Sequence, residues 1–278
     1  MQAKETKLQD IIEGTKQYII PLFQRTYSWT HKEWEVLWKD IMELYSSDDP
    51  KPHFIGSIVN LPTVSVPEGV SKYLLIDGQQ RLTTIFVILA ILRDMAEASG
   101  KPRFSKEIHE TLLVNAFKEE LDYFKLLPTQ ADRGIFEKII NKTPLNGDNT
   151  PLVAAYGYFE RKLKQESLDI EKLKKVVANY FSVVSIVLDG NDNPHLVFES
   201  LNAKGRPLTQ ADLIRNYFFM RIHVKTQEDV YKTYWLPMQQ LLGDRLTEYI
   251  RHYLMVNGAI VKQTDVCAGR ENSDRFLA

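Results

Sequence analysis

Asp77-Gly78-Gln79-Gln80-Arg81 is the segment of this chain best suited by residue type and spacing to hold a phosphate. It lies between a short apolar run, Tyr73 to Ile76, and a long one, Leu82 to Leu92, so a strand is expected to feed a tight polar turn that opens into a buried helix. A helix N-terminus presents unpaired N–H groups and partial positive charge, which favour an anion. Gly78 is expected to let a ligand approach the backbone closely. A purely structural reading stands beside this one: Asp77 and Gln80, three residues apart, have the spacing of a helix cap. That reading leaves two residues unexplained. Glycine at a first helical position costs about 1 kcal/mol against alanine, and a cation in the first turn costs roughly 0.3–1 kcal/mol without an anion to compensate it. A phosphate site would use both.

Two further segments carry candidate chemistry. In Ile20-Pro21-Leu22-Phe23-Gln24-Arg25-Thr26-Tyr27-Ser28-Trp29, Arg25 is suited to a phosphate and Tyr27 or Trp29 to stacking on a base. Phe23, Tyr27 and Trp29 are equally suited to a core, and for Trp29 the core reading is the stronger. In the segment from Phe198 to Asn216, Gly205 suits a left-handed turn and Thr209 a helix cap, with Asp212 favourable to the helix dipole. Asn202, Lys204 and Arg206 are candidates for lining a site across from the pentapeptide, and the two cations are also suited to a solvated surface.

Taken in order, the Phe-Gln-Arg-x-Tyr-x-Trp, Asp-Gly-Gln-Gln-Arg and Leu-Asn-x-x-Gly-x-x-Leu-x-x-x-Asp-Leu-Ile segments resemble the N-terminal module of GmrSD-type modification-dependent restriction enzymes, whose fold is similar to ParB and sulfiredoxin. The resemblance covers most of the chain. It implies a nucleoside-triphosphate-hydrolysing sensor of modified DNA in an anti-phage restriction system, with Mg²⁺ as cofactor and an HNH-type nuclease domain or subunit as partner. On that basis Asp77, Gln79, Gln80 and Arg81 are expected to be catalytic, and Gly78, Gln24, Arg25 and Asn202 to bind nucleotide. Tyr27, Trp29, Lys204 and Arg206 are expected on the DNA. Arg81 and the turn amides would hold phosphate oxygens, Gln79 or Gln80 would place water, and Asp77 would order the turn or help hold Mg²⁺. Two other roles stay open: a nucleotide-gated DNA clamp without turnover, and an adaptor for a nuclease.

These residues need elements to position them. Gln17 to Ile20 reads as a strand ended by Pro21, and Thr30 with Glu33 as a capping box. Trp34, Leu37, Trp38, Ile41 and Leu44 then share one helical face. His53 to Leu61 reads as a strand, Pro62 to Ser71 as an exposed connection, and Tyr73 to Ile76 as the antiparallel partner. Residues 104–180 read as a helical insertion, Phe181 to Leu188 as a strand returning to the first sheet, and Gln227 to Asn257 as helix. The expected fold is α+β, a small mixed sheet with a large helical portion. The expected domains are a ParB-like module over 1–222 and a helical segment over 223–278.

Composition narrows the alternatives. With 278 residues and a net charge of −1 there is no global polyelectrolyte signature, so DNA contact must come from a local basic surface. Cys267 stands alone, which excludes an internal disulfide framework and suits a reducing compartment. With no signal peptide and no apolar run long enough for a bilayer, a cytoplasmic protein is expected and a membrane is not. The six histidines lack metal-ligand spacing, and no Walker loop, nucleophile elbow or HNH pattern is present. A nuclease is therefore expected in a partner subunit or in the remainder of a longer protein.

Overall fold

The structure, a computed structural model, describes residues 1–22, 24–63, 69–165, 168–189, 192, 197, 209–219, 222 and 224–256. Contacts divide the chain into two units, one of Met1–Pro21 with Thr26–Asp192 and one of Leu22–Arg25 with Asn193–Ala278.

The first unit is built on a six-stranded mixed sheet. Its strands are β1 (Gln2–Lys7), β2 (Lys16–Ile19), β3 (His53–Pro62), β4 (Ser71–Asp77), β5 (Leu126–Leu127) and β6 (Phe181–Val187), in the order β1-β6-β3-β4-β2-β5. β4 runs antiparallel to β3, as the sequence suggests. β6 returns to the same sheet, parallel to β3 with Val59 opposite Ile186 and antiparallel to β1 with Lys4 opposite Ser185. The helices are α1 (Leu8–Ile12), α2 (His31–Ser46), α3 (Gln79–Ala98), α4 (Pro102–Ile108), α5 (Gln130–Ile140), α6 (Pro151–Gln165) and α7 (Ile170–Lys175). The fold is thus α+β with a large helical portion. Two strands escape the sequence reading: β1 is polar and exposed almost throughout, and β5 is a two-residue strand inside the helical stretch that pairs parallel with β2.

α3 is the central helix. Every residue from Leu82 to Arg93 is buried, so it is apolar on all sides and packs against neighbours around its whole circumference. α2 lies in the same core by the expected face, Trp34, Leu37, Trp38, Ile41 and Leu44. Its start is fixed by the capping box: the Glu33 carboxylate accepts from the Thr30 N–H and hydroxyl, both at 2.8 Å.

Among the described residues, Lys125 and Arg93 are buried charges held by several hydrogen bonds. Lys125 is 3% exposed, and its ammonium donates to the carbonyls of Ile12, at 3.0 Å, and Gly14. Burial, helped by nearby Lys16, pushes its pKa down to about 8. Between that value and the unfolded value near 10.4 the unfolded chain binds a proton that the folded chain has released, so this lysine makes stability rise with pH. The urea midpoint is expected to climb between pH 7.5 and 9.5 in wild type relative to a Lys125→Met variant. The amino terminus, held charged by Asp189 and Asp192, acts in the opposite sense but equally in both proteins. An identical pH profile in the two proteins would show that Lys125 is not the buried titrating group.

The described part of the second unit is helical, with helices Gln210–Phe219, Val224–Val230, Leu236–Leu242 and Leu246–Met255 around a small core that includes Phe219, Tyr231, Trp235 and Ile250. Thr209 starts the first of these as expected: its hydroxyl donates to Asp212 Oδ2 at 2.8 Å, and the Asp212 N–H donates back to Thr209 Oγ1 at 3.1 Å.

Candidate phosphate-binding turn

The turn from β4 into α3 differs from a capped helix start. Gly78 is the N-cap, in the left-handed region at φ 94°, and no side chain caps the helix. Leu82 N–H to Gly78 O, at 2.9 Å, is the first bond of the helix, and nothing among the described residues accepts from the N–H groups of Gln79, Gln80 and Arg81. The capping arrangement of Asp77 with Gln80 therefore does not form. Gln80 turns elsewhere: its Oε1 accepts from the Ser28 N–H at 2.7 Å and its Nε2 donates to the Thr26 carbonyl at 3.1 Å. Its amide is spent on holding the loop before α2.

Gly78 has a structural reason beyond any ligand. A Cβ there would lie 3.0 Å from the Ser57 carbonyl and 3.2 Å from Ile58 Cγ1, on a backbone that L-residues rarely adopt. A close approach to β3 thus requires glycine here independently of any ligand. Gly78 also sits before the first helical residue rather than on it.

Arg81 lies against the same strand. Its Nη1 donates to the Ser57 carbonyl at 2.8 Å, the one hydrogen bond of this guanidinium among the described residues. Burial lowers its pKa from the ordinary arginine value, and the Asp77 carboxylate opposes that shift. Asp77 in turn accepts from Ser57 Oγ at 3.4 Å. A guanidinium has five N–H donors, so most of the capacity of this part-buried cation is not used by the described residues. Gln79 is only 8% exposed, and its amide makes no hydrogen bond to a described residue. Free first-turn amides, an undercompensated cation and an uncommitted amide side chain together form a cradle for an anion with several acceptor oxygens.

Gly56 is a participant that the sequence reading missed. Its φ is +113°, a Cβ on it would stand 2.4 Å from Arg81 Nη2, and the pairing of β3 with β6 shifts register between Phe54 and Ser57. Glycine inside a strand signals such a bulge or close approach; here it makes room for the guanidinium.

The remaining candidates fall in different places. Tyr27 is a core side chain, 3% exposed, with its hydroxyl 2.7 Å from Thr84 Oγ1 and accepting from Trp34 Nε1 at 2.8 Å. Its ring has no face open for a base. Trp29 is partly buried, packs on the core and lines a groove with Val36, Leu37, Asp40, Phe54 and Arg81. Gln24 is buried and Arg25 half-buried, and both group with the second unit. Phe23, Asn202, Lys204, Gly205 and Arg206 lie outside the described residues. Among the described residues no group of three or more His, Cys, Asp or Glu is placed to hold a metal, and no helix is long and apolar enough to cross a membrane.

A mixed sheet that delivers a strand, a left-handed glycine and an uncapped buried helix defines an α+β module. Residues 8–219 match the family described as the N-terminal domain of the GmrSD restriction endonuclease, and the chain belongs to that family. The match supports a general role in modification-dependent restriction and agrees with the ParB/sulfiredoxin-like fold class expected from the motifs. No individually curated protein matches the chain.

Proposed function

We propose that this chain is a nucleotide-binding and hydrolysing sensor of a restriction system, gating a nuclease located elsewhere. The observation that carries the reading is Arg81, a part-buried cation with one hydrogen bond among the described residues, placed in the first turn of an uncapped helix. Phosphate oxygens would accept from the N–H groups of Gln79, Gln80 and Arg81 and from the guanidinium. Because the Gln80 amide already holds Thr26 and Ser28, Gln79 is the residue assigned to orient the attacking water. Asp77 is the carboxylate beside the turn and would hold Mg²⁺, which when bound neutralises phosphate charge.

Gating requires the nucleotide to bind one conformation more tightly than another; a tenfold preference corresponds to about 1.4 kcal/mol. Modified DNA is the signal this reading assigns, and an HNH-type nuclease the partner. Arg25, Asn202, Lys204 and Arg206 remain proposed ligands of nucleotide or DNA. The module would span 1–222, with 223–278 beginning a further domain. Gln79→Ala is expected to lower turnover about a hundredfold while leaving nucleotide affinity within a few fold, because it removes water placement and not phosphate contacts. Steady-state phosphate release together with equilibrium binding of a non-hydrolysable triphosphate checks it. Unchanged turnover would remove Gln79 from the reaction.

A further inference from the structure

We propose that the groove between the start of α2 and the start of β3 is the subsite for the base and sugar of the same nucleotide, an inference that rests on the nucleotide reading above. Its volume is about 290 Å³. That is just below the range for small-molecule sites, roughly 300–1,000 Å³, and suits one nucleoside rather than a stretch of duplex.

Position links the groove to the turn. Arg81 lines the groove and also stands in the first turn of α3. One side chain therefore borders both the proposed phosphate site and the groove, as a single mononucleotide would require. The groove's walls are apolar and aromatic, from Trp29, Val36, Leu37 and Phe54. Two of these side chains are unusually open: Phe54 is 57% exposed and Val36 is 56% exposed. A planar base covers such surface and stacks on an aromatic ring whatever its identity, since every base has a π-face.

Besides Arg81, the charged side chains of Lys32, Glu33 and Asp40 line the groove, and the carboxylates add a preference. Glu33 is committed to the Thr30 cap. Asp40 also lines the groove, with its carboxylate 3.5 Å from His53 Nε2 and 27% exposed. A carboxylate only accepts hydrogen bonds, so it selects a base edge that donates. Guanine offers a ring N–H beside an exocyclic amine and satisfies the two carboxylate oxygens together.

The test compares a non-hydrolysable GTP analogue with inorganic tripolyphosphate, by calorimetry on the whole chain with Mg²⁺. Wild type is expected to bind the analogue at least about tenfold more tightly than tripolyphosphate, consistent with one stacked base. Phe54→Ala and Asp40→Asn are expected to erase most of that advantage and to leave tripolyphosphate binding unchanged. Phe54 is exposed and Asp40 partly so, and circular dichroism confirms that the variants are folded. Equal affinity for the two ligands in wild type, or an advantage retained in both variants, overturns the base subsite while leaving the phosphate site intact. Failure of wild type to bind either ligand overturns the nucleotide reading itself. Phe54→Ala that weakens binding of a single-stranded oligonucleotide but not of the GTP analogue would assign the groove to a base of DNA and overturn the proposal.

Discussion

Arg81→Ala is expected to weaken binding of a triphosphate about a hundredfold and to lower turnover by a further tenfold or more. Charge-assisted hydrogen bonds to phosphate are among the strongest that proteins make, and removing one donor from an oxyanion site costs about 10²–10³ in rate. The loss should not come from unfolding. Arg81 contributes one hydrogen bond, to the Ser57 carbonyl, and its burial disfavours the charged form, so its removal relieves a desolvation cost as well as losing a contact. Arg81→Lys is expected to recover part of the binding but little of the rate, because an ammonium retains the charge without the planar fork. Gly56→Ala supplies an independent check: its Cβ would occupy the place of Arg81 Nη2, displacing the guanidinium without altering its chemistry. Calorimetric binding and phosphate release on the four proteins measure these effects. Wild-type affinity in Arg81→Ala would reduce the residue to a strand anchor.

Arg93→Met is expected to have the largest effect on stability, about 3 kcal/mol, seen as a fall of roughly 6–12 °C in melting temperature. Arg93 is fully buried in α3. Its guanidinium donates to the carbonyls of Ile139, at 3.0 Å, and Ile140 at the end of α5, and its Nε to Asp94 Oδ1 at 2.8 Å. Its Nη1 also stands 3.2 Å from His109 Nδ1, and burial together with the Arg93 charge lowers the His109 pKa, which favours the neutral, accepting ring. Methionine fills the stem of the cavity but removes both guanidinium donors, leaving the Ile139 carbonyl with backbone N–H groups alone, that of Lys142 at 3.4 Å. A fall of less than 2 °C would mean that water or a shift of α5 replaces the lost donors. Nucleotide binding by the folded variant should be unchanged, which separates this residue from the turn at the opposite end of the same helix.

What could be read from the sequence followed the physics of periodicity and local pairing. The buried face of α2 and its Thr30–Glu33 cap are local patterns, and β3, β4 and β6 are apolar runs long enough to declare themselves. β1 was not legible because its residues, Gln2 to Lys7, are polar and almost all exposed; backbone pairing to β6 alone makes it a strand. β5 was hidden because two leucines within a helical stretch carry no period. The turn was located correctly, but its internal roles depend on partners distant in sequence. Gln80 is committed to Thr26 and Ser28, and Arg81 and Gly78 are fitted to Ser57 and Gly56 on a bulged strand. Tyr27 and Trp29, two residues apart, go respectively into the core and onto a groove, which side-chain chemistry alone does not distinguish.

The central claim is that the first turn of α3 binds and turns over a nucleoside triphosphate. Phosphate release from each of the four ribonucleotides, with Mg²⁺ and with or without modified DNA, tests it most directly. The account predicts release by wild type, stimulated by the DNA it senses and abolished by chelation of the metal. Absence of release from all four nucleotides under every one of these conditions would contradict it.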